Sequence, residues 1–291
     1  MQSHSLNSKG FHEDSFLSIH LHLEMTVDVL ILGAGWSSQF LLPLLEKRQL
    51  TYAATTRDGR SGTIPFTYDP EAENHTAYRA LPKATTVLIT FPIKTPGGSK
   101  RLLELYRSAH GIEAGQDASK WIQLGSTGVW EGEGVCDRHS TIDLTNARAL
   151  EEEALLKEGG CVLNLAGLWG GARCPPNWLS RVAPTKEKLA DKDMLHLIHG
   201  DDVAAAVLAV SEKWDAAKGQ RWMVTDMRSY DWWELALAWG DEDTHKKWVL
   251  ELLGDLTLPR AASGRVLRST DFWKTFGKTP SRSLLDMPKQ N

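Results

Sequence analysis

Gly33-Ala34-Gly35-Trp36-Ser37-Ser38 is the first stretch of this chain whose residue types and spacing can do chemistry. Two glycines one residue apart let a backbone turn tightly and approach a pyrophosphate, whose charge then sits at the N-terminus of the following helix. Gly33 and Gly35 meet those two demands. Ser38 stands where a third glycine would govern helix–strand packing, and serine is small enough to serve there. Arg57 follows Thr55-Thr56 at the distance where an adenosine ribose would be read. An arginine first at that point offers a cation to a 2′-phosphate, and Arg60 is close by, so NADP(H) is the favoured ligand. Asp58 keeps NAD(H) open, because an acid there accepts from a free 2′-hydroxyl. Ser126 and Thr127, in Gly125-Ser126-Thr127-Gly128, supply hydroxyls that can hold a substrate oxygen. The same Ser-Thr-Gly run also reads as a simple strand-ending turn.

These groups need elements that hold them in one crevice. Val27 to Leu32 reads as a continuous apolar strand directly before Gly33. A helix follows, with Phe40, Leu41, Leu44 and Leu45 on one face and a kink or early break predicted at Pro43. Further strands are predicted over 51–56, 85–90, 121–124 and 161–166, with helices over about 100–109 and 146–157 between them. That alternation predicts an α/β fold of the Rossmann type, a doubly wound parallel sheet covered on both faces. After Gly167 the rhythm loosens through Gly170-Gly171, Pro175-Pro176 and Pro184. An amphipathic helix returns at Val203, Ala206, Val207 and Val210, with Asp201 and Asp202 at its positive end. The expected division is a flexible extension over 1–25, a nucleotide-binding domain over 26–166, and a smaller, partly interleaved C-terminal lobe over 167–291. Elements near 198–225 would return to the first domain.

Bulk properties bound the function. At 291 residues the chain can bury a sizeable core, and a net charge of −4 argues against a general nucleic-acid or anionic-membrane binder. No apolar run reaches the length of a membrane span. Three cysteines without a CxxC pair fit a reducing compartment, so a cytoplasmic location is expected. The histidines and cysteines lack ligand spacing, and no metal site is expected. Tryptophans in the last third, including Trp232, Trp233, Trp239 and Trp248, read as core packing, although with Trp130 and Trp169 they are also candidates to line an aromatic pocket.

Four blocks together resemble the atypical extended short-chain dehydrogenase/reductases, relatives of the NAD-dependent epimerase/dehydratases. They are the Leu32-Gly33-Ala34-Gly35-Trp36 loop, Gly125 to Trp130, Leu163 to Gly170, and Ile198 to Ala204, in family order. The resemblance implies a small organic substrate. It places Phe91 and Pro92 beside the cofactor and Ser126 next to the reacting carbon. It matches His199 and Asp202 to a segment that seats the second lobe, where the residues themselves read as a helix cap and a buried contact.

The family's engine is a Tyr-x-x-x-Lys pair, in which the lysine lowers the tyrosine pKa so that the phenol can exchange a proton during hydride transfer. This chain has no tyrosine between Tyr106 and Tyr230. Thr145 falls near the tyrosine position and is too weak an acid. Arg148 falls near the lysine position and can still grip a ribose or phosphate. His139, Asp137 and Glu131 are the candidates to move a proton instead. Three expectations follow: an NADP(H)-dependent oxidoreductase of atypical mechanism, a non-catalytic NADP(H)-binding sensor or scaffold, and, more weakly, an epimerase or dehydratase.

Overall fold

The computed structural model describes residues 26–113 and 115–287. The extension expected over 1–25 lies outside them. Strands β1 (Thr26–Leu32), β2 (Tyr52–Thr56), β3 (Ile64–Pro65), β4 (Lys83–Ile89), β5 (Lys120–Ser126), β6 (Cys161–Leu165) and β7 (Arg221–Val224) make one sheet. Its order is β7-β6-β5-β4-β1-β2-β3, and every pairing is parallel. This is the doubly wound arrangement the alternating pattern predicts.

The strands read as continuous apolar runs because the sheet is buried on both faces. Successive side chains point to opposite sides. In β1, Val29 and Ile31 join one core with helices α1 (Ser38–Lys47) and α4 (Gly200–Glu212). Leu30 and Leu32 join the other, with Leu102, Leu103 and Tyr106 of α2 (Gly98–Ala109) and Leu155 of α3 (Ala147–Lys157). The chain leaves β1 toward one edge and β4 toward the other. The carboxyl ends of this central pair, in register as Leu30 against Val87, therefore open a crevice.

Pro43 does not end α1. The helix runs on to Lys47 because Leu41 and Leu45 are buried against the sheet while Pro43 faces solvent. The lost hydrogen bond is outweighed by packing on the other face.

Past β6 the chain builds a second cluster from Trp169, Leu179, Leu189, Leu197 and Tyr230. Trp232, Trp233, Leu235 of α5 (Trp232–Trp239) and Val249 of α6 (Lys247–Leu253) complete it. Two segments then return to the sheet. β7 pairs with β6, and α7 (Thr270–Phe276) lays Phe272 and Phe276 edge-on against Trp222 of β7. His199 caps α4, its Nδ1 accepting from Asp201 N at 3.1 Å. Buried Asp202 accepts from Ser281 N and Oγ, both at 2.7 Å. No helix among the described residues is long and apolar enough to cross a membrane.

Candidate functional site

The crevice is built around the loop after β1. Gly33 has φ +91°, and a Cβ there would lie 2.7 Å from Thr90 Oγ1, so only glycine fits. Thr90 Oγ1 donates to the carbonyls of Leu32 and Gly33. From the other side, Gly33 N donates to Thr55 Oγ1 at 2.9 Å and Ala34 N to Thr55 O at 2.6 Å. Two threonines at the ends of β2 and β4 thus strap the loop across the switch point. Sequence reasoning missed both, because a threonine ending a strand carries no distinguishing pattern.

Gly35 leaves a cradle. A Cβ there would have no heavy atom closer than 4.0 Å, so the space over the backbone is open. The N–H groups of Trp36 and Ser37 have no partner among the described residues and stand at the start of α1. These features suit the pyrophosphate of a dinucleotide. Ser38 is buried at the helix start and lines neither cavity described below.

One cavity of ≈ 360 Å³ opens on the β2 side of the loop, between Gly33-Ala34-Gly35, Thr55-Thr56, Arg57, Arg60, Tyr68 and Phe91. Arg57 is exposed and forms no ion pair among the described residues. Arg60 sits 3.4 Å from Asp58, and Asp58 is outside the lining. A hydrogen bond from Thr56, followed by the Arg60 contacts, holds the Asp58 carboxyl below its usual range. Tyr68 stacks on Phe91 at 5.3 Å, forming an aromatic wall. Burial pushes the Tyr68 phenol up to about 12, so it stays protonated at neutral pH.

A second cavity of ≈ 310 Å³ lies on the β5 side, and it shares Gly35 and Thr90 with the first. Trp36, Ser37, Pro92, Ser126, Arg148 and Arg173 line it, with Leu165, Ala166 and Leu168 as an apolar wall. Ser126 ends β5, and its Oγ accepts from Gly128 N at 3.1 Å. Arg148 enters from α3. Its Nε donates to Glu152 Oε1 at 3.1 Å and one terminal nitrogen to Leu124 O at 2.8 Å. Glu152 is fully buried and is shared with Arg221 of β7 and Asn164 of β6. Gly125 makes room for this cluster: a Cβ there would fall 2.3 Å from Asn164 Nδ2 and 2.7 Å from Glu152 Oε1.

The structure thus brings Gly35, Trp36, Ser37, Pro92, Ser126 and Arg148 to one cavity, and Gly33, Arg57 and Phe91 to its neighbour. It does not bring Thr127 there. The chain turns into a short helical turn after β5, and Thr127 is buried beneath it. Thr145 is exposed and donates to Asp143 Oδ1 at 2.6 Å, away from the lining. Asp137 is ion-paired with Arg268, His139 lies 3.9 Å from Asp271, and Glu131 is exposed; none lines either cavity. Trp130 and Trp169 are both buried and line neither cavity. Among the described residues, no Tyr, His, Cys, Lys, Asp or Glu lines the cavity at Ser126.

No family model matches the chain, and no curated protein matches it. Solved structures match closely in shape. Vestitone reductase from alfalfa superposes with a TM-score of 0.62 at 17% identity, covering 90% of this chain and 95% of that one. The yeast methylglyoxal/isovaleraldehyde reductase Gre2, complexed with NADPH, gives 0.59 at 16% identity over 88% and 94%. MoeE5 in complex with UDP-glucose and NAD gives 0.60 at 16% identity, also over 88% and 94%. The chain has the Rossmann fold of these structures.

Proposed function

We propose that this protein is an NADP(H)-dependent oxidoreductase acting on a small organic carbonyl compound without a tyrosine acid. One observation carries the reading: two adjoining cavities share the open Gly35 loop, with unpaired Arg57 at the far end of one and Ser126 in the other. A nicotinamide cofactor seated there would supply the hydride. Arg57, with Arg60 beside it, takes the 2′-phosphate. Gly35 and the N–H groups of Trp36 and Ser37 take the pyrophosphate. Oxidoreductase neighbours of the same fold, one holding NADPH, support this assignment.

Ser126 orients the substrate. Its Oγ already accepts from Gly128 N, so its own hydrogen is free to donate to a carbonyl oxygen. Arg148, fixed by Glu152 and Leu124 O, adds a permanent positive charge that stabilises developing negative charge on that oxygen. The final proton comes from water, because neither a serine hydroxyl nor a guanidinium gives one up near neutrality.

The missing acid also favours a second reading, a non-catalytic NADP(H) sensor in which the same groups bind cofactor without turnover. Calorimetry with NADPH and NADH tests the shared part, and NADPH should bind more tightly. Arg57→Ala should bring the two affinities together. Equal wild-type affinities, or an NADH preference that survives Arg57→Ala, would remove the assignment. NADPH consumption across a panel of aldehydes and ketones then separates the enzyme from the sensor.

A further inference from the structure

The geometry points to Arg173 as a clamp on the dinucleotide pyrophosphate, reaching over the phosphate loop from beyond β6. This rests on the dinucleotide reading above and adds a second cation to it. The turn that carries Arg173 is closed by two backbone hydrogen bonds, Gly170 N to Arg173 O at 2.9 Å and Arg173 N to Gly170 O at 3.1 Å. Gly170 at φ +110° and Gly171 at φ +56° allow the reversal. The turn docks on the loop through Trp36, whose Nε1 donates to Gly170 O at 3.0 Å. The Arg173 guanidinium lies over the Trp36 ring, with Cζ 4.4 Å from its centroid.

That placement leaves the cation available. Stacking on an indole uses the face of the guanidinium and none of its five N–H donors. Arg173 has no ion pair among the described residues. The other cation of the cavity, Arg148, shares buried Glu152 with Arg221 and has two of its donors committed, to Glu152 Oε1 at 3.1 Å and to Leu124 O at 2.8 Å. Arg173 is therefore the cation of this cavity that has no carboxylate partner among the described residues. The same cavity is lined by Trp36 and Ser37, whose N–H groups have no partner among the described residues and stand at the start of a ten-residue helix. An anion held by those N–H groups meets Arg173 on its other side. A pyrophosphate has two charges and oxygens on both faces, which suits a grip from loop and clamp together.

The clamp differs from Arg57 in what it recognises. Arg57 reads a group that only NADP(H) has; Arg173 reads one that NADP(H) and NAD(H) share. The full-length Arg173→Gln variant should lose roughly tenfold or more in affinity for NADPH and for NADH alike, most of it as faster release. Calorimetry gives the affinities, and stopped-flow energy transfer from tryptophan to the reduced nicotinamide gives the release rate. Adenosine 2′-monophosphate, which has the 2′-phosphate and no phosphate on the 5′ oxygen, should bind the variant as it binds the wild type. Arg173 is exposed, so the melting temperature without ligand should stay unchanged. Arg173→Lys, which keeps the charge and loses the stacked plane, should fall between. Unchanged dinucleotide affinity in Arg173→Gln overturns the clamp and assigns the cation to a substrate anion. An equal loss for the 2′-monophosphate also overturns it, as a general field effect. Wild-type protein that binds neither dinucleotide overturns the cofactor reading itself, a different outcome from a silent Arg173→Gln.

Discussion

Ser126 and Arg148 are the two groups that touch the reacting oxygen in the proposed mechanism, and they fail differently when changed. Ser126→Ala removes one hydrogen bond made in the transition state. We expect a fall in turnover on the order of 10²-fold with NADPH affinity nearly unchanged, read by steady-state kinetics beside calorimetry. Wild-type turnover in that variant would sink the assignment. The pH–rate profile of the wild type should lack the ionisation a catalytic tyrosine would show. Between about pH 6 and 9 the rate should be flat where substrate and cofactor do not titrate, since serine and arginine do not change charge there. Ser126 was legible in the sequence because it ends a strand with a clear apolar period, and Arg57, one residue beyond β2, was legible from its distance to the glycine loop. Arg173 was not, since its Gly/Pro-rich turn has no period to say where a side chain points. Thr127 was misplaced for a related reason: one residue past a strand end the alternation stops, and a tight turn swings its side chain inward.

The helices show where local preference is overruled. Pro43 sits on the exposed side of α1 and removes a bond to the preceding turn, yet the helix continues. Pro43→Ala should restore that bond and raise stability by roughly 1–2 kcal/mol, because the gain in the helix exceeds the added freedom of the unfolded chain. A shift in urea midpoint at constant slope would show it; a neutral or negative shift would mean the ring packs favourably where it is. In α3 the controlling feature is Glu152, buried between Arg148 and Arg221. Glu152→Ala takes the carboxylate from Arg148, leaves buried Arg221 with only Glu153 and Asn164, and should cost about 3–5 kcal/mol in urea unfolding. The sequence showed only a Glu- and Leu-rich helix. The pairing depends on β7, which comes much later in the chain and which no local pattern connects to α3.

At the scale of the whole molecule, the junction between sheet and second lobe carries two buried titratable groups that pull in opposite directions. Burial raises the Asp226 carboxyl to about 6, against the opposing donations of Tyr230 and Arg228 N. Burial and then Arg265 lower the His196 imidazole to about 4, and its Nε2 accepts from Leu267 N. Asp226 binds its proton more tightly folded than unfolded. Its contribution is fully present below about pH 4 and is lost as pH rises through about 6. His196 binds its proton less tightly folded. Its contribution is present above about pH 6.5 and is lost as pH falls toward 4. Over pH 4 to 6 the two slopes offset. Asp226→Asn should therefore expose a loss of stability on acidification, steeper than wild type by up to about 1.4 kcal/mol per pH unit. His196→Gln should expose the opposite trend. Urea midpoints across that range would show parallel curves for all three proteins if these groups do not titrate as described.

β7 pairs only with β6, and its Arg221 meets a carboxylate of α3. The consequence belongs to synthesis rather than to the finished fold. A ribosome delivers the chain from its amino end, so β6 emerges and waits with one side unpaired while the second lobe is still being made. Through that interval Glu152 lacks one of its two cations, and sealing it into the core is correspondingly unfavourable. The sheet cannot be completed first and the lobe added afterwards, because β7 follows the start of the lobe in sequence. It reaches its final form only when β7, made midway through the lobe, threads back to its edge, so the synthesis of residues 221–224, rather than the end of β6, is the step that completes the sheet.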